Sequence, residues 1–125
     1  MITVEEYMEI NKVPLIAKKE GLIYYIKQWE LNVHKLFSWE KYTYDDYYAA
    51  IGKRDRIHDI CNKCFVSQDL LNQIQTIDSD FMKQTKKVDI DILNKSDESD
   101  LDKKERWYAF RLLTSKYDDW IDYLQ

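Results

Sequence analysis

Residues 22–36, LIYYIKQWELNVHKL, carry apolar side chains at successive intervals of four, three, four and three residues. This spacing brings the side chains back to one face of an α-helix at every turn. A helix with such a stripe needs other elements to cover it, so the stretch predicts a core helix. The stripe consists of Leu22, Ile26, Trp29, Val33 and Leu36.

Helix start signals stand before several other stretches. Thr3 is followed three residues later by Glu6, which is the pattern of a capping box and predicts a helix over 4–11. Thr43 precedes two acids in the same way and predicts a helix that ends near Phe65.

Other residues mark where helices begin, bend or stop. Pro14 suits the first position of a helix, and Gly21 predicts a bend or a break. Ser67 is the N-cap of a predicted helix whose apolar stripe extends to Val88. A further helical region begins near Asp102, and Ser115 is the cap signal of a last helix that includes Tyr117 to Leu124.

The composition points to the same class of fold. The chain has 125 residues, of which 45% are hydrophobic, with two Gly and one Pro. A chain of this length forms one domain, and so few turn residues disfavour a β-sandwich. We therefore expect an all-α protein, a single compact bundle of five or six helices over residues 1–125, with an acidic loop at 89–102.

The segment 89–102, DIDILNKSDESDLD, interrupts the helical pattern. It holds six acids and one lysine, a local charge of −5, while the whole chain has a net charge of −4. The alternation over 88–92 is typical of a strand, but one short strand has no partner in an otherwise helical chain. We expect an extended, partly disordered loop from which Ile90 and Ile92 pack against the bundle.

The overall charge bears on the class of partner. Acids outnumber bases 23 to 19, so the basic footprint typical of nucleic-acid binding is missing from the chain as a whole. The first residues do not form a secretory signal, and no uncharged apolar run reaches the ~20 residues that span a bilayer. We expect a cytoplasmic protein that binds neither nucleic acid nor membrane, with Cys61 and Cys64 as thiols.

Four tyrosines and a tryptophan crowd the stretch that leads into the Thr43 helix, and part of this stretch is the clearest candidate binding site. Tyrosine is enriched at protein interfaces because it supplies contact area at low entropic cost. Neighbouring carboxylates repel nucleic acid and attract basic proteins. The alternative is that the rings belong to the core and the acids only cap a solvated helix end. The candidate residues are Tyr44, Asp45, Asp46, Tyr47 and Tyr48.

Two further acidic surfaces extend this candidate set. On the last predicted helix, Asp118, Asp119 and Asp122 lie on the outward side and flank Tyr123. The acidic loop supplies a second candidate site for a partner, although a run of charge is often only a solvated face. Its candidate residues are Asp97, Glu98, Asp100 and Asp102.

A metal site is disfavoured by geometry. His58, Cys61 and Cys64 are residue types that bind zinc, but zinc needs four tetrahedral ligands. On one helix each step of three residues turns by about 300°, so the three side chains cannot converge on one ion. We interpret the cysteines as structural thiols, and we expect neither a metal nor a cofactor.

Catalysis is disfavoured as well. Asp55 and His58 lie one turn apart beside arginines, which is the smallest set for acid–base chemistry or RNA cleavage. Arg54 and His58 are, however, too close in sequence for the arginine–histidine signature of helical RNases. An ion pair that holds the bundle together is the preferred interpretation. We expect no catalytic residues, since no Gly-rich phosphate loop or nucleophile elbow is present either.

Three stretches together carry a family likeness. They are DDYYAAIGKRDRIHDI at 45–60, IDSDFMKQTKKV at 77–88 and ERWYAFRLL at 105–113. In this order they resemble small all-helical immunity proteins of bacterial polymorphic toxin systems, including those of contact-dependent growth inhibition. The resemblance implies a cytoplasmic protein that binds one cognate toxin, often a basic nuclease, and blocks its active site or substrate groove. It assigns no role to any single residue.

The residues and the resemblance together predict a protein-binding inhibitor, an immunity protein that neutralises a toxin with a basic surface. Electrostatic steering would suit such a protein, because a toxin must be captured quickly. Two alternatives stay open: a phage or plasmid anti-defence protein that mimics nucleic-acid charge through 89–102, and a small helical nuclease that uses Arg54, Arg56 and His58. The sequence does not determine the oligomeric state.

Overall fold

A computed structural model of the chain describes residues 1–95 and 99–124. The described part is mostly helical, at 72%, and also contains a small two-stranded sheet. The α-helices are α1 (Val4–Ile10), α2 (Leu15–Glu20), α3 (Leu22–His34), α4 (Tyr44–Lys63), α5 (Gln68–Gln84), α6 (Asp100–Glu105) and α7 (Tyr117–Trp120). The strands are β1 (Thr85–Lys87) and β2 (Arg111–Leu113), and short 3-10 turns occupy Leu36–Ser38, Trp107–Phe110, Thr114–Lys116 and Ile121–Leu124.

The core forms around α3, as its stripe predicts. Four of the five stripe residues are buried, and Leu36, just beyond the helix, packs against them. The helix contacts both α4 and α5, so the two long helices cover it from two sides. Trp29 lies at the centre, with its ring 4.9 Å from that of Phe81 on α5 and 6.3 Å from that of Phe37.

The helix starts predicted at Thr3, Thr43 and Ser67 are confirmed, whereas Pro14 is the N-cap of α2 and not its first residue, and α7 begins behind Lys116 without a side-chain cap. Thr3 and Thr43 each accept a hydrogen bond from the backbone N–H three residues later, and each donates its own backbone N–H to the acid side chain at that position, which completes a capping box. Ser67 accepts the corresponding bond at the start of α5. Gly21 has a φ of 72°, a left-handed conformation that favours glycine, and the chain there breaks into α2 and α3.

The sheet corrects the expectation of an all-α bundle, and the seven α-helices among the described residues exceed the five or six expected. The α5 stripe does not continue as a helix to Val88, because the helix ends at Gln84 and the chain becomes extended at Thr85. β1 then pairs antiparallel with β2, with Thr85 opposite Leu113. This pairing buries Leu112 and Leu113 while it satisfies backbone groups that the helix no longer pairs. A second strand distant in sequence supplies the partner that the local pattern lacks.

The acidic segment is only partly a surface loop. Ile92 and Leu93 are buried, as is the side chain of Asp91, whereas Ile90 stays 38% exposed. The prediction that Ile92 packs against the bundle is therefore confirmed, and the same prediction for Ile90 is wrong. The last part of the segment is helical, because α6 begins at Asp100 behind the N-cap Ser99.

Candidate docking surface

Two segments far apart in sequence meet at the N-terminal end of α4. The ring of Tyr44 lies 5.0 Å from that of Tyr123 and 5.8 Å from that of Trp120, measured between ring centroids. The acidic start of α4 and the acidic C-terminal segment are therefore neighbours. The sequence predicts both segments as surfaces, but no local pattern shows that they are neighbours.

Tyr47 fixes this junction from beneath. Its ring is fully buried and lies 5.5 Å from the rings of both Phe37 and Trp120. Its hydroxyl donates a hydrogen bond of 2.6 Å to the carbonyl oxygen of Arg111, the first residue of β2. Burial raises the pKa of Tyr47 well above its usual range, so the phenol remains a neutral donor. The C-terminal segment is held on α4 by this ring.

Tyr47 is consequently the one tyrosine of the candidate set that does not reach the surface, and we remove it from that set. It points inward because it starts the buried face that continues through Ile51 and Arg54. Tyr48, one position further round the helix, is 45% exposed, and Tyr44 is half-buried. Asp46 is exposed, but its side chain is used in the capping box with Thr43.

The remaining acids at this end are exposed and free. Within residues 1–95 and 99–124, no ion pair or side-chain hydrogen bond involves Asp45, Asp118, Asp119 or Asp122. Tyr123 beside them is 66% exposed. We refer to this set as the acid–aromatic face: Tyr44, Asp45, Tyr48, Asp118, Asp119, Asp122 and Tyr123.

The two described residues of the candidate site in the acidic loop, Asp100 and Asp102, do not belong to this face. Asp102 pairs with Arg106, at 3.3 Å, while Asp100 is exposed. Asp97 and Glu98 lie outside the described residues. Arg106 also binds Asp55, which is 11 residues beyond Tyr44 in α4, or about 16 Å along a helix axis. Asp102, which shares Arg106 with Asp55, therefore lies beside the middle of α4, away from its N-terminal end.

Arg54 is part of the core. Its Nε and Nη2 each donate a 2.9 Å hydrogen bond to the carboxylate of Asp78 on α5. The indole N–H of Trp29 donates to the same carboxylate, at 3.0 Å. The guanidinium is nearly fully buried and lies 4.6 Å from the ring centroid of Tyr108. This arrangement ties α3, α4 and α5 together at one carboxylate.

Asp55 is bound just as firmly, but to the C-terminal part of the chain. It accepts hydrogen bonds from the hydroxyl of Tyr108, at 2.5 Å, and from Nε of Arg106, at 3.0 Å. Burial alone would raise the pKa of Asp55, but these bonds outweigh it and lower the pKa. The predicted pairing of Asp55 with His58 is absent among the described residues. His58 instead faces Asn62, at 3.1 Å.

A polar cleft of about 350 Å³ opens beside these residues and is lined by Gly52, Asp55, Arg56, His58, Asp59, Lys95 and Arg106. Arg56 donates to the hydroxyl of Tyr7, which in turn donates to Asp59. Burial, and then the charge of Arg54, lower the pKa of His58, which favours the neutral form of its imidazole. Arg54 does not line this cleft, so the three residues of the nuclease alternative are not gathered at one site.

Cys64 packs against the N-terminal segment. Cys64 is buried, and its Sγ lies 3.7 Å from the carbonyl oxygen of Thr3. Burial raises the pKa of both the Cys61 and the Cys64 thiols. In the part of the chain that the structure describes, no cluster of His, Cys, Asp or Glu could hold a metal ion, and no helix is long and apolar enough to cross a membrane.

Comparison of the chain with protein-family models, with curated proteins and with solved structures finds no match. Function must therefore be inferred from the chemistry of the chain's own surfaces.

Proposed function

We propose that the protein is a binding inhibitor whose acid–aromatic face docks onto a basic surface of a partner protein. The observation that carries this proposal is that the N-terminal end of α4 and the C-terminal segment of the chain lie against each other. The half-buried ring of Tyr44 at the start of α4 touches the exposed ring of Tyr123 in the C-terminal segment, and the carboxylates around them form no ion pair among the described residues.

Such a face has the composition of an interface anchor. Exposed tyrosine rings fixed by a buried layer lose little side-chain entropy on binding and bury a large apolar area. Carboxylates around them select a cationic partner and increase the association rate, because attraction acts before contact is made. Tyr44 is already supported by Trp120, which reduces the cost of ordering it.

The kind of inhibitor we propose is an immunity protein, and its partner a toxin with a basic active-site groove. The resemblance described above and the net charge of −4 both support this partner class. The acids of the loop support the alternative of nucleic-acid mimicry less well. Asp91 and Asp102 both pair with Arg106, so part of their charge is spent within the protein.

The test is binding to the polymorphic toxin encoded directly upstream of the gene, measured by pull-down and calorimetry. The double variant Asp118→Lys/Asp122→Lys reverses two charges of the face and should slow association about tenfold at low salt. Glu5→Lys/Glu9→Lys makes the same charge change on two exposed residues of α1. This control should keep the rate close to that of the wild type.

The affinity contribution of the rings is measured separately. Tyr48→Ala should weaken the complex by about 1 to 2 kcal/mol, as expected for an interface tyrosine. Absence of an adjacent toxin, absence of binding, or equal losses in the face variant and the α1 control would each contradict the proposal.

A further inference from the structure

The protein also has a groove whose charged side chains are mostly basic, in contrast to the acid–aromatic face. It has a volume of about 410 Å³ and is formed where the end of α5, the sheet and α6 come together. We refer to it as the basic groove. Its principal lining residues are Met82, Lys87, Lys103, Lys104, Trp107 and Arg111.

The lysines of the basic groove are not paired with acids of the described residues, and Lys103 lies over the ring of Phe110, at 5.9 Å from its centroid. Four basic side chains line it against one acid, Asp89. No ion pair joins Lys87, Lys103 or Lys104 to another of the residues described by the structure. In a chain whose net charge is −4, this is a local excess of positive charge.

Arg111 is held in one orientation. Its Nε donates a hydrogen bond of 2.7 Å to the hydroxyl of Thr85, and its Nη2 donates to the carbonyl oxygen of Thr85, at 3.0 Å. Nη1 donates to no group in residues 1–95 and 99–124. A guanidinium fixed in this way loses little entropy when it binds a carboxylate.

Apolar atoms form the rest of the groove. Met82 is 49% exposed although it lies in the groove. Trp107 is half-buried, and its ring packs against those of Phe81, at 6.0 Å, and Tyr108, at 5.9 Å. These contacts keep the indole in place as a wall of the groove. An apolar side chain that entered beside Met82 would be received by surface that is already ordered.

We propose that the basic groove binds an acidic peptide segment of a partner protein, with an apolar side chain seated against Met82 and Trp107. Carboxylates before and after that side chain would meet the lysines and Arg111. A nucleic acid fits less well, because the net charge of the chain repels it and because Trp107 is packed by Phe81 and Tyr108 and is not free to stack on a base. This site prefers the opposite charge to the acid–aromatic face, so the inference is independent of the proposed function.

A random dodecapeptide library displayed on phage provides the test, with the full-length protein as bait. The enriched peptides that the groove binds should be acidic and should contain a Leu, Met or aromatic residue between the acids. Lys103→Glu/Lys104→Glu should lower the affinity for a synthetic copy of such a peptide by about tenfold or more. Because the contact is ionic, affinity should also fall as salt is raised.

The matched control is Lys18→Glu/Lys19→Glu. Both lysine pairs occupy the last turn of a six-residue helix and both changes add the same negative charge. Equal weakening by the two double variants would show a nonspecific effect of net charge and would overturn the proposal.

Met82→Gln tests the apolar contact without a change of charge. This variant should bind a peptide that carries the apolar residue more weakly than the wild type does. Its affinity for the same peptide with Ser at that position should be unchanged. The proposal fails if the library yields no acidic peptides, if Lys103→Glu/Lys104→Glu binds them as the wild type does, or if a thymidine oligonucleotide of equal charge binds more tightly than the peptide.

Discussion

The two halves of α4 differ in whether their charged and polar side chains are bound within the protein. At its N-terminal end, Asp45 and Tyr48 are exposed and make no polar side-chain contact with the described remainder of the chain. In its second half, Arg54 and Asp55 are each bound to residues distant in sequence. Charges that hold a fold must be paired, because an unpaired buried charge is costly. Charges left unpaired on the surface contribute little to folding and are available to a partner.

The largest expected effect concerns the paired half. Asp78→Ala removes the carboxylate that satisfies both Arg54 and the indole of Trp29. A buried guanidinium without its partner should cost about 3 to 5 kcal/mol in the free energy of unfolding. Urea denaturation followed by tryptophan fluorescence measures this loss.

The control for that prediction lies two residues further along the same helix. Asp80 pairs with His34, at 2.8 Å, but both side chains are more than one third exposed. Asp80→Ala should therefore cost about 1 kcal/mol or less. If the two substitutions cost the same, burial does not separate the two kinds of charge and the comparison is wrong.

Acid sensitivity gives the next largest effect. The pKa values of Asp55 and Asp91 are lowered in the folded protein, because hydrogen bonds outweigh their burial. Their unfolded pKa is about 3.9. The stability that they contribute is therefore present above pH 4 and is lost as the pH falls through the lower folded values.

Asp55→Asn should lower the free energy of unfolding by about 2 kcal/mol at pH 7 and flatten its fall below pH 4. Urea titrations at a series of pH values measure both quantities. Asp45→Asn is the control, since Asp45 has no ion pair or side-chain hydrogen bond among the described residues, and this variant should change the acid-dependent loss much less than Asp55→Asn. A variant at Asp55 that kept the full acid-dependent loss would contradict this role for the carboxylate.

The sequence predicts those features of the fold that depend on residues close together in the chain. The caps at Thr3 and Thr43 and the stripe of α3 depend on spacings within a few turns, and these were confirmed. The pairing of Arg54 with Asp78 depends on two helices that meet in space, and no local pattern encodes it. A signal was nevertheless present. Arg54 stands at helical spacing from Ile51 and Ile57, inside an apolar stripe where a charge needs a partner.

The sheet and the docking surface show the same limit. Thr85 fits the stripe of α5 by spacing, yet it begins β1, because Leu113 offers it an antiparallel partner. Tyr47 and Tyr48 are adjacent, and a run of tyrosines does not reveal which ring Trp120 will cover. Long-range contacts settle both questions, so sequence analysis could propose the acidic segments but not their meeting.

A smaller effect distinguishes these two tyrosines. Tyr47→Phe removes the hydroxyl that donates to the carbonyl oxygen of Arg111 and should cost about 1 kcal/mol. Tyr48→Phe should leave the free energy of unfolding within about 0.5 kcal/mol of the wild type, since its hydroxyl has no partner among the described residues. Thermal and urea unfolding of both variants decide the matter. A loss confined to Tyr48→Phe would invert our assignment of the inner and outer rings.

The smallest effect is expected on the acid–aromatic face itself. Asp118→Asn/Asp122→Asn removes two like charges one helical turn apart, and such charges repel each other weakly. The free energy of unfolding should rise by no more than about 0.5 kcal/mol, and the gain should vanish at high salt because exposed charges are screened. Urea unfolding at two salt concentrations measures it. A loss of about 1 kcal/mol or more would mean that these carboxylates stabilise the fold, and their exposure would then no longer argue for a partner.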